Sequence, residues 1–415
     1  MTILQVASLL IVLAGVFGAI NYLFLKLPSS IGILVVALMA SLGVMGIDAI
    51  FPALNTADTV QKIVRDIEFS DALLEGMLGL LLFAGALHVK ISDLRKQAWV
   101  VLLMATLGVA ISTTIVGYGF SWITGAPLIV ALVFGALITP TDPVAVLGVL
   151  REANLRKSLE TKIAGESLFN DGVGYVVFLI IVGIAFPSDA HHDEGVMGAI
   201  KLFAQEAIGG AVLGAVLGYL VFQVMKRIDD YSLEVLLSLG LAFGGYELAV
   251  YLHMSGPIMA VVAGLFIGDV GVKYGMSEQT RLYLNKFWEL IDEILNAILF
   301  LLIGIEVFAV TFTVNALWGG VLCIVLALTA RAAAVTIPLL ILRPFRQFTS
   351  DVIPIMTWGG LKGGISVALA LTLPDSEWKP IILAATYMVV VFSIIVQGLT
   401  IAPLANRLGR APDLL

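Results

Sequence analysis

Ala164-Gly165-Glu166-Ser167-Leu168-Phe169-Asn170-Asp171 lies inside a segment that is otherwise apolar from about Leu159 to Phe186. That segment is long enough to cross a bilayer. On a soluble surface these polar side chains would be ordinary. At membrane depth a carboxylate costs about 3 kcal/mol to insert, so such residues face an aqueous path or a partner. With 3.6 residues per turn, Ser167 and Asp171 share one stripe of the helix, and Glu166 and Asn170 share the neighbouring one. The first stripe offers oxygens to something outside the helix. The second offers a carboxylate and an amide to adjacent helices. The pattern predicts an ion site inside a membrane-spanning helix.

The rest of the chain fits that setting. Of 415 residues, 60% are hydrophobic and only 13% charged, with a mean hydropathy of +1.05. Long apolar stretches recur from end to end, which excludes a soluble globular protein. The strand alternation of an outer-membrane barrel is absent, so the spans are helical. The single cysteine, Cys323, sits within an apolar run and excludes an intramolecular disulfide. The four histidines have no metal-ligand spacing, and His191-His192 falls in a polar loop. The run from Leu4 to Leu25 lacks a basic start and a clear cleavage site, so it is expected to be a retained helix.

Thirteen apolar segments are expected, at roughly 3–25, 30–51, 69–88, 98–123, 127–150, 159–186, 203–225, 232–251, 254–270, 287–310, 314–342, 350–373 and 380–404. They account for a single integral-membrane domain over 1–415, without a soluble domain. Lys and Arg in the connections set the orientation. With the N-terminus outside, seventeen basic residues fall inside, and Lys62, Arg65, Lys201 and Lys379 fall outside. The C-terminus is then cytoplasmic. The two remaining bases, Arg331 and Lys362, fall within spans.

Two segments are unusual. The fifth contains Thr139-Pro140-Thr141-Asp142-Pro143, whose prolines remove backbone donors and free carbonyls upstream. The twelfth contains Trp358-Gly359-Gly360-Leu361-Lys362-Gly363-Gly364, four glycines around one cation. Both read as interrupted helices. Halves 1–186 and 232–404, joined by the helix 203–225, would be six-helix repeats of opposite orientation in which these two segments correspond. Paired interrupted helices in inverted halves point to a transporter site at the bilayer centre.

Asp142, Glu166, Asp171, Arg331 and Lys362 all lie about halfway along their spans. Asp171 with Ser167 is predicted to contact the ligand. Glu166 with Arg331 reads equally as a structural buried pair, and Lys362 as the neutraliser of Asp142 and of the exposed helix ends. Burial disfavours the charged form of a carboxylate, which suits a group that trades a proton for a cation. Asp71, Glu75, Glu206, Glu247 and Glu306 read as solvated outer helix ends before an outer vestibule that concentrates cations, and Glu289, Asp292 and Glu293 read equally as an amphipathic face or an inner vestibule.

Thr139–Pro143, Gly165–Asp171, Arg331, Trp358–Gly364 and Val396-Gln397-Gly398-Leu399-Thr400 together resemble the NhaP-type sodium/proton antiporters, relatives of the animal and plant sodium/proton exchangers. His253-Met254-Ser255-Gly256 resembles a further stretch of that family. The resemblance covers essentially the whole chain. It implies the antiporter fold of about thirteen helices, a homodimer in the cell membrane, and elevator-like movement of a six-helix core. It implies a cation held by Asp171, Ser167, Thr141 and Asp142, with Asn170, Glu166, Arg331, Lys362 and Thr139 organising the site. Sodium (or lithium or potassium) and protons would be the transported species, with no cofactor. Lys362 departs from the arginine of many relatives, which loses bidentate geometry.

Two other classes of membrane protein fit the sequence less well. An intramembrane aspartyl protease needs two carboxyls sharing a proton, and Arg331 and Lys362 oppose that. A cation channel fits poorly with a deep single acid and a fixed cation.

Overall fold

A computed structural model describes residues 3–51, 71–142, 146, 155–187, 195–308 and 314–408. The His191-His192 pair and the structure of Asp189–Glu194 lie outside these residues. Every described element is a helix: α1 (Ile3–Ile20, continued by a π-turn Asn21–Leu25), α2 (Ser29–Ile50), α3 (Asp71–Leu87), α4 (Ile91–Thr124), α5 (Leu128–Ile138), α6 (Lys157–Ala185) and α7 (Gly195–Met225). There follow α8 (Tyr231–Tyr251), α9 (Gly256–Tyr274), α10 (Glu278–Ile305), α11 (Val314–Leu342), α12 (Val352–Trp358), α13 (Gly364–Leu371) and α14 (Lys379–Leu408). Nine helices among the described residues are long and apolar enough to cross a membrane.

Two of the expected segments are not continuous helices among the described residues: the fifth is helical only from Leu128 to Ile138, and the twelfth is the pair α12 and α13. The ends differ from the expected ones where polar residues extend a helix beyond its apolar run. Helix α4 starts at Ile91 rather than 98, α7 at Gly195 rather than 203, and α10 at Glu278 rather than 287. Local chemistry sets several starts. Asp230 accepts from the amides of Ser232 and Leu233 to open α8, and Ser255 and Ser277 cap α9 and α10 in the same way.

Three helices carry internal π-turns: Met104–Gly108 in α4, Phe266–Gly271 in α9 and Ser393–Gln397 in α14. One extra residue per turn shifts the face presented by everything beyond it.

Helix α5 reads LIVALVFGALI, apolar on every side, and a helix of that kind must be interior. It is buried from Val133 to Ile138 and packs closely on α4. A side chain at Gly135 would collide with the Thr113 carbonyl, so glycine permits that approach. Around α5 lies one apolar cluster with residues of α4, α10, α11, α13 and α14, including Phe120, Phe134, Phe300 and Val390. A second cluster, around Trp288, Phe83, Met259 and Tyr246, joins α3, α8, α9 and α10. Helix α6 runs between the two, giving Phe178 to the first and Leu168 to the second. The outer surface carries bare apolar side chains such as Leu4, Ile11, Leu236 and Val325, with Trp122 and Tyr22 among the most exposed. Such a surface matches acyl chains with aromatic groups at the interface.

Candidate ion site between the interrupted helices

Helix α5 stops at Ile138, because Pro140 lacks the N–H that would continue its hydrogen bonding. Residues Thr139–Asp142 continue outside any helix. Between α12 and α13, residues 359–363 are likewise non-helical. The two interruptions meet: the Asp142 amide donates to the Leu361 carbonyl at 2.8 Å. A Cβ at Gly363 would stand 2.7 Å from Asp142 Oδ2, so the Asp142 carboxylate lies against the start of α13. That is the helix end that favours negative charge.

The Lys362 ammonium answers the opposite end. It donates to the carbonyls of Thr139 (2.8 Å) and Pro140 (3.4 Å), just past the C-terminus of α5. Of the two roles expected of Lys362, this is the one at an exposed helix end. The cation takes freed carbonyls, and Asp142 takes a helix N-terminus. The Lys362 amide donates to Ser393 Oγ at 2.8 Å, inside the π-turn of α14. Gln397 Nε2 donates to the Trp358 carbonyl at 3.0 Å, and the Trp358 indole to Thr400 Oγ1 at 2.8 Å.

All nine candidate residues are at most 8% exposed. Glu166 receives both terminal nitrogens of Arg331: Nη1 meets Oε1, and Nη2 meets Oε2 at 2.6 Å. Arg331 also donates to the Met356 carbonyl from Nε (3.2 Å) and Nη2 (3.0 Å). Asn170 Nδ2 reaches Glu166 Oε1 at 3.2 Å and Thr141 Oγ1 at 2.9 Å, and Asn170 Oδ1 accepts from the Thr141 amide at 3.3 Å. Helix α6 is thereby tied to α11 and to the broken part of the fifth segment. Thr139 Oγ1 donates to the Gly135 carbonyl at 2.8 Å and lies 3.4 Å from Thr113 Oγ1.

On the other stripe, Ser167 Oγ is 2.8 Å from Thr141 Oγ1. One turn further, Asp171 is buried, and neither carboxylate oxygen has a hydrogen-bond partner among the described residues. Unpaired buried carboxylate oxygens are costly, and a cation or a proton would satisfy them. Oxygen donors from a carboxylate and two hydroxyls suit a hard monovalent cation.

Some expectations are corrected. Glu306, read as a solvated helix end, is buried at 3% exposure in a 3-10 turn between the buried Gly304 and Val307. Glu206 is half-buried and Glu247 exposed, while the side chains of Asp71 and Glu75 lie outside the described residues. Lys162, counted among the inner loops, is buried on the second turn of α6. Glu289 pairs with the exposed Lys286, as an amphipathic face would have it. Sequence reasoning missed Ser393, the Arg156–Asp351 pair and the Glu234–Thr280 contact (3.1 Å). Only Ser393 had a nearby signal, the stretch Val396–Thr400.

Interrupted helices meeting at a buried cluster of three acids and two bases define a polytopic secondary transporter. The chain matches the family described as sodium/hydrogen exchanger, transmembrane, over residues 8–407, and it belongs to that family. It is 47% identical to the Na(+)/H(+) antiporter NhaP of Pseudomonas aeruginosa, covering 98% of this chain and 97% of that one. It is 36% identical to the Na(+)/H(+) antiporter NhaH of Halobacillus aidingensis, covering 93% of each. The fold is similar to that of the sodium proton antiporter MjNhaP1 from Methanocaldococcus jannaschii, with a TM-score of 0.78 at 20% identity over 98% of this chain and 99% of that one.

Proposed function

We propose that this chain exchanges sodium for protons, one for one, by alternating access at Asp171. The observation that carries the reading is the Asp171 carboxylate. It is buried without a hydrogen-bond partner among the described residues, whereas Thr141, Glu166, Asn170, Arg331 and Lys362 each make hydrogen bonds. Its oxygens, with those of Ser167 and Thr141, take the cation in one half-cycle. In the other the carboxylate takes a proton. Asp142 at the start of α13 adds negative potential beside the site. Asn170, Glu166, Arg331, Lys362 and Thr139 fix the frame. The relatives named as sodium/proton antiporters support the same reading.

Charge explains the stoichiometry. Glu166 is matched by Arg331, and the Asp142 charge is offset by the nearby Lys362 cation. Asp171 then holds one monovalent ion of either kind, so both half-cycles move the same charge. Asn170 supplies hydrogen bonds and no second titrating carboxyl. Thirteen crossings, inverted halves 1–186 and 232–404, an outer N-terminus and a cytoplasmic C-terminus complete the proposal, as do residence in the cell membrane and a homodimer. The two apolar clusters flanking α6 suit an elevator movement of one unit against the other.

The test is the purified chain in proteoliposomes, with proton flux read by a trapped pH dye. A sodium gradient drives proton movement in the opposite sense, and lithium and potassium are compared in turn. Absence of sodium-driven proton flux overturns the assignment, and flux with potassium alone moves it to potassium/proton exchange.

A further inference from the structure

We propose that the membrane face at which α4 and α6 begin carries a binding site for a phosphate-bearing anion, either free phosphate or the headgroup of an acidic lipid. A cavity of about 580 Å³ lies there between the first turns of α4 and α6 and the connection from α11 to α12. That is the size of a small-molecule pocket. Its charged lining is Lys96, Lys157, Lys162 and Arg346 against a single acid, Asp93. Asp93 Oδ2 lies 3.0 Å from Lys157 Nζ, so the lining still carries three more positive charges than negative ones. Two other charged groups among the described residues nearby stand outside this balance. Arg156 is engaged by Asp351 and Thr349, and Glu160 is exposed outside the lining.

Cations drawn together in a cavity repel one another, and that arrangement persists where an anion repays it. The positions are structured ones. Lys162 is 8% exposed, with its ammonium 5.7 Å from the centre of the Phe348 ring. Arg346 is oriented by donation to Gln97 Oε1 at 3.1 Å and to the Lys96 carbonyl. A guanidinium has five N–H donors, so more remain for a phosphate oxygen. Ser158 and Thr161 add hydroxyls, and α6 begins without a side-chain cap. The bias of basic residues places this face inside, where anionic headgroups lie within reach of basic pockets. Such an anion would join the start of α6, which carries Asp171, to the connection that leads into Lys362. The site stands apart from the exchange reaction, and its test reads binding alone.

The experiment follows thermal unfolding of the full chain in neutral detergent. The probes are inorganic phosphate against chloride at constant ionic strength, and phosphatidylglycerol against phosphatidylcholine in mixed micelles. The expected result is a rise in Tm of about 3 °C or more at saturating probe. The apparent affinity should weaken about tenfold or more in Lys96→Gln/Lys157→Gln and in Arg346→Gln. It should stay unchanged in Lys226→Gln/Arg227→Gln, exposed residues outside the cavity. Lys96 and Lys157 are exposed, so the first variant tests charge without disturbing the core. A rise with phosphate assigns the free anion, and a rise with phosphatidylglycerol alone assigns the lipid headgroup. No rise with either probe, or an equal rise in the cavity variants, overturns the proposal.

Discussion

Neutralising one partner of the Glu166–Arg331 pair should destabilise the protein strongly, and neutralising both should restore part of the loss. Both side chains are buried, at 2% and 8% exposure, so neither can turn to water when the other is removed. Breaking a buried pair on one side costs about 3–5 kcal/mol, chiefly because a charge is left without its counter-ion. The two single changes differ. In Arg331→Met, Glu166 keeps the Asn170 amide and can shed its charge by taking a proton. In Glu166→Gln the guanidinium cannot lose its charge, and the Met356 carbonyl is its only remaining oxygen acceptor at hydrogen-bond distance among the described contacts. Glu166→Gln is therefore expected at the upper end of the range. Arg331→Met adds the loss of bonds to the Met356 carbonyl, about 1–3 kcal/mol for a buried acceptor left bare. Each single variant should lower the apparent Tm by about 5 °C. The double variant should recover at least about 1 kcal/mol relative to the sum of the singles. The assay is thermal unfolding of all four forms in one detergent at one pH. If the two single losses add in the double variant, the residues are not energetically coupled and the reasoning fails.

Three further outcomes are expected. Asp171→Asn keeps volume and hydrogen-bonding groups but removes the proton-for-cation switch, so exchange in proteoliposomes should vanish; retention of half the wild-type flux would sink the role given to Asp171. With potassium and valinomycin setting a membrane potential at equal pH on both sides, sodium should not accumulate, and accumulation would refute one-for-one exchange. Lys362→Met should cost about 2–4 kcal/mol, because it strips the Thr139 and Pro140 carbonyls of their donor, while Lys362→Arg should recover most of it; equal melting temperatures for the two variants would contradict the carbonyl-capping role.

Much of this was legible in the sequence because misplaced polarity is expensive. A carboxylate, an amide and a hydroxyl within an apolar run such as 159–186 need a reason, and the proline and glycine interruptions at Thr139–Pro143 and Gly359–Gly364 announce freed backbone at membrane depth. Sequence position also picked out Arg331 and Lys362, the two bases left over from the loops. What it did not reveal was which atoms answer one another. That Lys362 reaches the Thr139 and Pro140 carbonyls depends on where two chain breaks cross. Glu306 looked solvated because it lies near a helix end, yet that end is covered by surrounding helices. Arg156 and Asp351 stand 195 residues apart, and Glu234 and Thr280 stand 46 apart, with no periodicity to connect them. Helices α4, α7 and α10 begin earlier than their apolar runs because hydropathy marks the lipid-facing length and not the hydrogen-bonded one.

The π-turn at Ser393–Gln397 makes spacing itself a component of the site. Its wider turn holds one residue more than an α-helix would, and the surplus is absorbed just where Ser393 accepts from the Lys362 amide and Gln397 donates to the Trp358 carbonyl. Removing a single residue there would let the helix relax to ordinary winding, with every later side chain turned by about 100°. Thr400 would swing away from the Trp358 indole, though every residue type in Gly398–Leu408 was unchanged. The helix would remain as apolar and as able to span the bilayer. Two chains with the same composition here, and differing only by that one position in length, would therefore present different surfaces to the interrupted helix. Insertions and deletions in this stretch act as changes of phase, and they belong with the point substitutions that matter.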